Sequence, residues 1–365
     1  MTRALKDIFS DGFPVQEQHE KHADFALLSL RASLSAYFET YAAVGRNLAN
    51  VERDDPKFDP KYYYSYTEAY LRAVLHAHHF AELVIKKILR DKYRVLALRV
   101  DKLNTVLFDL LDGKNVPDEE LQKVNTPEFG ESLDRLVALV PGRISSKAAQ
   151  QIKDNAALLR KLNVLRNRVW HRGTFVLHYS ALDELFGGHL LGLFASIANA
   201  YGQGSPKPIW RYTPLACGLD PVDEIVKEYQ QASPSQSKVA LLKEMARAAY
   251  HAPAYFDPRR HTNARQVIKD VWWMTARKTE EAKAARLSQS PDESLYDIVI
   301  CPVCGLKTLL RRADMIDPDD VDGKAICLVW EVHCTCCTFT VPNNLGNPTE
   351  HGYTQIPDLF EGHEL

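Results

Sequence analysis

The chain has little of what marks several common classes of protein. Net charge is nearly absent: 45 Lys and Arg stand against 47 Asp and Glu over 365 residues. That balance excludes a basic nucleic-acid coat and an acidic disordered solvator, and leaves any steering to local charge. Long apolar runs are scarce. The longest stretch without a formal charge, Leu185 to Pro206, contains His189, Asn199 and five glycines, so it reads as a buried helix with its exit loop rather than a membrane span. The N-terminal MTRALKDIFSDGF has Asp7 and Asp11 where the apolar core of a signal peptide would lie. A soluble cytoplasmic protein with no membrane partner is expected. There is no Gly-rich phosphate loop, HExxH helix or nucleophile elbow, and no internal repeat. Cysteines are few and uneven: of seven, all but Cys217 lie between Cys301 and Cys337. An odd, clustered set points to a metal rather than to an extracellular disulfide framework.

What is present is mainly helical. From Ala23 to about Tyr201 apolar residues recur at 3–4 spacing with few breakers. One stripe is Leu27, Leu30, Leu34 and Phe38; a longer one runs through Tyr66, Tyr70, Val74, Ala77, Ala81, Ile85 and Ile88. Phe129 to Val140 and Lys147 to Val169 follow as helices, and Gly173 is a natural stop for the latter. Gly and Pro concentrate between Tyr201 and Pro214, the best domain boundary. After Pro291 the pattern changes to short β-branched runs: Tyr296 to Ile300, Lys307 to Arg311, Ala325 to His333 and Thr338 to Val341. The expected organisation is a helical domain over 20–205, a helical connector region over 206–294, a small β zinc-ribbon domain over 295–345 and an acidic irregular tail over 346–365.

Cys301-Pro-Val-Cys304-Gly and Cys334-Thr-Cys336-Cys337 are two knuckles separated by enough chain for a hairpin. A CxxC turn lets two thiolates converge on one ion, and zinc favours four tetrahedral ligands. The assigned ligands are Cys301, Cys304, Cys334 and Cys337. Cys336 offers a CxC alternative and His333 a weaker rival. Four thiolates leave no open position, so a Zn2+ ion here is structural and not catalytic. The ribbon either supports the fold or recognises a ligand.

The second informative stretch is Leu165-Arg-Asn-Arg-Val-Trp-His-Arg-Gly173, at the end of a long helix. Arg166, Asn167 and His171 form an Arg-x4-His motif with a polar residue after the Arg, preceded by the long helix Tyr70 to Lys87 and a connector. Over residues 20–205 the chain resembles the HEPN superfamily of ribonucleases. The resemblance implies a HEPN-like helical bundle, a composite site at a homodimer interface, and metal-independent endoribonuclease activity that leaves a 2′,3′-cyclic phosphate. It also implies a toxin or abortive-infection effector of prokaryotic antiviral defence, with tRNA among the candidate substrates.

The residues supply a chemistry for that activity. Arg166 presents forked donors to a phosphate, and an imidazole, with an ordinary pKa of about 6.5, suits His171 to acid or base work. On a regular helix Asn167 and His171 share a face, so the amide can hold the imidazole, whereas Arg166 lies about 140° away from His171. One helix would then not converge both groups, and two copies about a two-fold axis would. From Arg143 to Arg172 there are eight basic residues against one acid, Asp154, and Arg160, Lys161, Arg168 and Arg172 are the expected RNA contacts. Arg259 to Arg286 is also basic, with Trp272 and Trp273 nearby. Glu82 can orient a motif side chain or pair with Lys86, and His171 and Arg172 also suit a helix C-terminus as plain dipole-compensating cations. The rival reading is a non-catalytic HEPN-type dimer, or a higher oligomer, that binds RNA or nucleotide while the ribbon docks a regulatory protein or senses nucleic acid.

Overall fold

The computed structural model describes residues 24–45, 60–99, 105–121, 124–173, 175–202, 209–252, 266–287, 294–316 and 326–360. Arg259 and the side chains of Trp272 and Trp273, part of the second basic and aromatic cluster, lie outside the described residues.

Helix α1 (Phe25–Val44) starts at Asp24, whose carboxylate caps it by accepting from the amides of Ala26 and Leu27. Its stripe of Leu27, Leu30, Leu34 and Phe38 is buried, and it packs along α2 (Pro60–Lys92), where Ser29 meets His79 and Ser33 donates to the Ala73 carbonyl; Tyr70, Val74, Ala77, Ala81 and Ile85 of α2 are buried too. These two helices form the centre of the bundle. Helix α3 (Phe129–Leu139) and the pair α4 (Lys147–Asp154) and α5 (Ala156–Asn167) pack on α2. The helix read as continuous from Lys147 to Val169 is broken at Asn155, which caps α5 and bonds its side-chain amide to the Gln151 carbonyl. Helix α6 (Tyr179–Tyr201) contains a π-helical turn over Glu184–Leu190. It is long and apolar enough to cross a membrane by length and composition, and its Phe186, Leu190, Leu191, Phe194 and Ile197 are buried in the core here.

Past the Gly and Pro segment, α7 (Pro221–Glu228) and α8 (Gln236–His251) return to the bundle, followed by α9 (Gln266–Leu287). Residues 206–294 read as a connector, yet α8 is a core helix: Val239 through Ala246 are all buried and pack against α1. Sequence hides this because Lys243 and Glu244 interrupt the apolar pattern; their ionic partners are the buried Asp183 and the part-buried Arg247. Trp210 and Tyr212, within the proposed boundary segment, are also buried; Tyr212 packs against Phe38 and Tyr250, and the Trp210 carbonyl accepts from the Tyr250 hydroxyl.

The C-terminal unit is a four-stranded antiparallel meander in the order β1 (Leu295–Ile300), β2 (Lys307–Ile316), β3 (Ile326–Cys334) and β4 (Thr340–Pro342). Strand β2 runs five residues beyond the expected Arg311, paired with β3 as far as Ile316 opposite Ile326. Residues 346–360 form turns, with Tyr353, Ile356 and Leu359 buried. The molecule is thus mainly helical with a small β-sheet carrying a cysteine cluster. One contiguous apolar core runs from α1 through α8 into the sheet, and a small satellite lies around Leu98, Val106, Leu107, Val116 and Val124.

Candidate functional site

At the end of α5 the chain leaves regular α-helical geometry for a π-helical turn over Arg168–Arg172, closed by Gly173 in the left-handed region at φ 61°. A π turn pairs residues five apart. That is the spacing of Arg166 and His171, and Arg166 Nη1 lies 3.2 Å from His171 Nε2. The expectation that one helix would hold these groups apart is therefore corrected: where the helix ends in this turn the two side chains meet within one protomer. The role expected of Asn167 changes as well. Its Oδ1 accepts from Arg166 Nη1 at 2.9 Å, so the amide orients the arginine rather than the imidazole. A guanidinium has no acceptor, so in any hydrogen bond to Nε2 it is the donor. Arg166 also lies over the Trp170 ring, 5.9 Å from its centroid.

Asn167, His171 and Arg172 are exposed, and so are the apolar Val164 and Trp170, at 59% and 61% of their full surface. Of the basic residues proposed to meet RNA, Lys161 and Arg172 stand in solvent, Arg168 stacks on Phe175 at 3.4 Å, and Arg160 is drawn to Asp134 of α3 at 2.6 Å. Behind the motif helix, His78 of α2 is buried, with Nε2 2.9 Å from Asn163 Oδ1 and its ring against Phe129. Burial holds its pKa below the usual imidazole value, with the bond to Asn163 opposing. Glu82 pairs with Lys86 at 2.6 Å and stands 3.8 Å from His78. Tyr66 donates to the Leu177 carbonyl and pins the segment leaving the motif.

The second site is the cysteine cluster. Cys301, Cys304, Cys334 and Cys337 place their sulfurs within 4.8 Å of one another, with Cys301 to Cys337 at 3.6 Å and Cys304 to Cys334 at 3.7 Å. Four sulfurs about 2.3 Å from one tetrahedral ion stand about 3.8 Å apart, so these four thiols could hold a metal ion and are compatible with structural zinc. Cys336 is outside the group of four, and His333 Nδ1 is engaged 2.7 Å from Thr340 Oγ1. The two knuckles share one backbone pattern. Cys301 and Cys334 donate to the carbonyls of Leu306 and Phe339, and their own carbonyls accept from Gly305 and Thr338. Both of the latter are left-handed, at φ 73° and 62°; Gly305 takes this freely, whereas Thr338 is strained.

A loop and the helices α8 and α9 grip the two knuckles. Ala216 and Cys217 donate to the carbonyls of Val303 and Pro302 at 2.9 Å, and Arg277 donates to Gly305 at 3.2 Å. From α8, Arg247 donates to the Thr338 carbonyl and Glu244 accepts from the Thr340 amide at 2.7 Å. Burial raises the Glu244 pKa against the pull of its Arg247 partner. The preceding residue, Lys243, is fully buried with Asp183 of α6 at 2.5 Å, between the rings of Tyr37 and Tyr179. Burial pushes Lys243 down and Asp183 up, each opposed by the other. Sequence reasoning missed this pair; the only trace is a lysine inside the apolar run Val239-Ala-Leu-Leu-Lys-Glu-Met245.

Comparison of the chain with protein-family models, curated proteins and solved structures returned no match.

Proposed function

We propose that the protein is a HEPN-like endoribonuclease that cleaves RNA without a catalytic metal, with a zinc ribbon as a structural element. The observation that carries this reading is the 3.2 Å approach of Arg166 and His171 on an exposed, basic helix end. His171 accepts the ribose 2′-OH proton, or returns one to the leaving oxygen, while Arg166 stabilises the negative charge that develops on the phosphoryl oxygens. Asn167 is a positioning residue that fixes the guanidinium. Attack by the 2′-oxygen on the adjacent phosphate breaks the P–O5′ bond and yields a 2′,3′-cyclic phosphate and a 5′-hydroxyl. DNA lacks the nucleophile and is not cut.

A homodimer follows from the same surface: Val164 and Trp170 lie beside the motif, and a two-fold contact across α5 would cover them and bring two Arg166/His171 pairs onto one strand of RNA. The resemblance adds an effector role in antiviral defence with tRNA among the substrates, in the cytoplasm.

The test is incubation of purified protein with total RNA in EDTA, at chelator levels that leave its circular dichroism unchanged. Cleavage should proceed, and Arg166→Ala and His171→Ala should each slow it about 100-fold or more. RNA that survives the wild-type protein as well as it survives the double variant, with and without candidate activating partners, would instead establish a non-catalytic binding module.

A further inference from the structure

A pocket of about 380 Å³, within the range of small-molecule sites, opens where α4 meets α6 and α7. We propose that it is a nucleobase subsite. The lining contains no Lys, Arg, Asp or Glu, so a phosphate or a carboxylate would find no counter-charge from those residues. What it presents are groups that read base edges and faces. Gln151, Asn155 and Gln230 supply three amides, the side chains whose paired donor and acceptor match the edge of a base. Tyr229 and His189 supply rings for stacking.

The π turn of α6 shapes this site. It places Gly187 so close to Tyr229 that a Cβ there would sit 2.2 Å from the ring, which locks the ring as a fixed wall. Gly188 and Gly192, one helical turn apart, keep the floor open; a Cβ at Gly188 would meet only Tyr229, at 3.8 Å. Gln151 bonds Ser196 through its amide nitrogen, and its Oε1 has no hydrogen-bond partner in the protein. Asn155 caps α5, whose other end carries Arg166, so the pocket lies about 16 Å along one helix from the motif. A base held here by an RNA strand would register that strand relative to Arg166 and His171. This registering role rests on the nuclease reading, while the pocket's affinity for a base does not.

The experiment is a calorimetric titration of the full chain with adenosine, guanosine, cytidine and uridine, repeated on Gly188→Leu, Gln230→Ala and the Arg166→Ala/His171→Ala double variant. At least one nucleoside should bind saturably, with a dissociation constant of about 1 mM or tighter. Gly188→Leu puts a side chain into the pocket at a position where its Cβ meets only Tyr229, at 3.8 Å, and should weaken binding at least tenfold with its melting temperature kept. Gln230→Ala, at an exposed position, should also weaken it. The double variant should bind as the wild type does, which separates this site from the cleavage reading. Competition by a single-stranded oligoribonucleotide assigns the base to an RNA chain; binding without competition assigns it to a free nucleoside, and the subsite stands in both cases. Absence of saturable binding for all four nucleosides, or binding unchanged in both pocket variants, overturns the proposal.

Discussion

Arg166 has two partners within hydrogen-bonding distance, Asn167 Oδ1 and His171 Nε2, and each predicts a distinct failure. Arg166→Lys keeps the charge and loses the fork, so kcat for RNA cleavage should fall about 100-fold. Asn167→Ala leaves both reacting groups in place and should cost less, with rescue by Asn167→Asp, which restores an acceptor for the guanidinium. The motif was legible in sequence because its members are neighbours in the chain. The Lys243–Asp183 pair was not, since its partners lie 60 residues apart and only the fold makes them meet. Lys243→Met leaves Asp183 buried without its cation and should destabilise the protein by about 3–5 kcal/mol in chemical denaturation, with Lys243→Met/Asp183→Leu less damaging than the single change. His78 carries a pH signature. Its folded pKa lies below that of the unfolded chain, so its contribution to stability is complete above the unfolded value near 6.5 and is lost as pH falls from there toward the folded pKa. Melting temperatures of wild type and His78→Gln should therefore converge as pH drops through this window; a difference independent of pH would refute the burial argument.

Among the elements, the periodic helices α1 and α2 were readable because apolar spacing alone fixes which face is buried, and the strands of the ribbon because β-branched runs sit between turn signals. The two π turns were not readable. Nothing in the residue pattern distinguishes a turn closed five residues on from one closed four residues on, yet Arg166 and His171 meet where α5 ends in such a turn. Glycine at 173 allows the turn to end in the left-handed region. Gly173→Ala should therefore cost about 1 kcal/mol and lower cleavage by loosening the pair. The second knuckle offers the inverse test. Thr338 holds the left-handed conformation that Gly305 holds in the first, so Thr338→Gly should raise stability by up to about 1 kcal/mol, measured by denaturant midpoint.

For the whole molecule, the position of the cysteine site was legible from the CxxC spacing, but its integration was not. The contacts that join ribbon to bundle come from a loop at Ala216 and Cys217 and from Glu244 and Arg247 of α8, segments with no sequence signature of contact. Because α8 grips the second knuckle with Glu244 and α6 with Lys243, loss of the ion should loosen the bundle too. Cys301→Ser/Cys304→Ser should lower the melting temperature in one cooperative transition in which helical and sheet signals fall together, whereas two separate transitions would show an independent ribbon. The central claim is that the Arg166/His171 pair cleaves RNA through the 2′-hydroxyl, and end-group analysis of the products tests it most directly. Wild-type protein in EDTA should leave 2′,3′-cyclic phosphate and 5′-hydroxyl ends and spare a substrate carrying 2′-deoxyribose at the cleaved position. Cleavage of that deoxy substrate, or ends bearing 3′-hydroxyl and 5′-phosphate, would contradict the account.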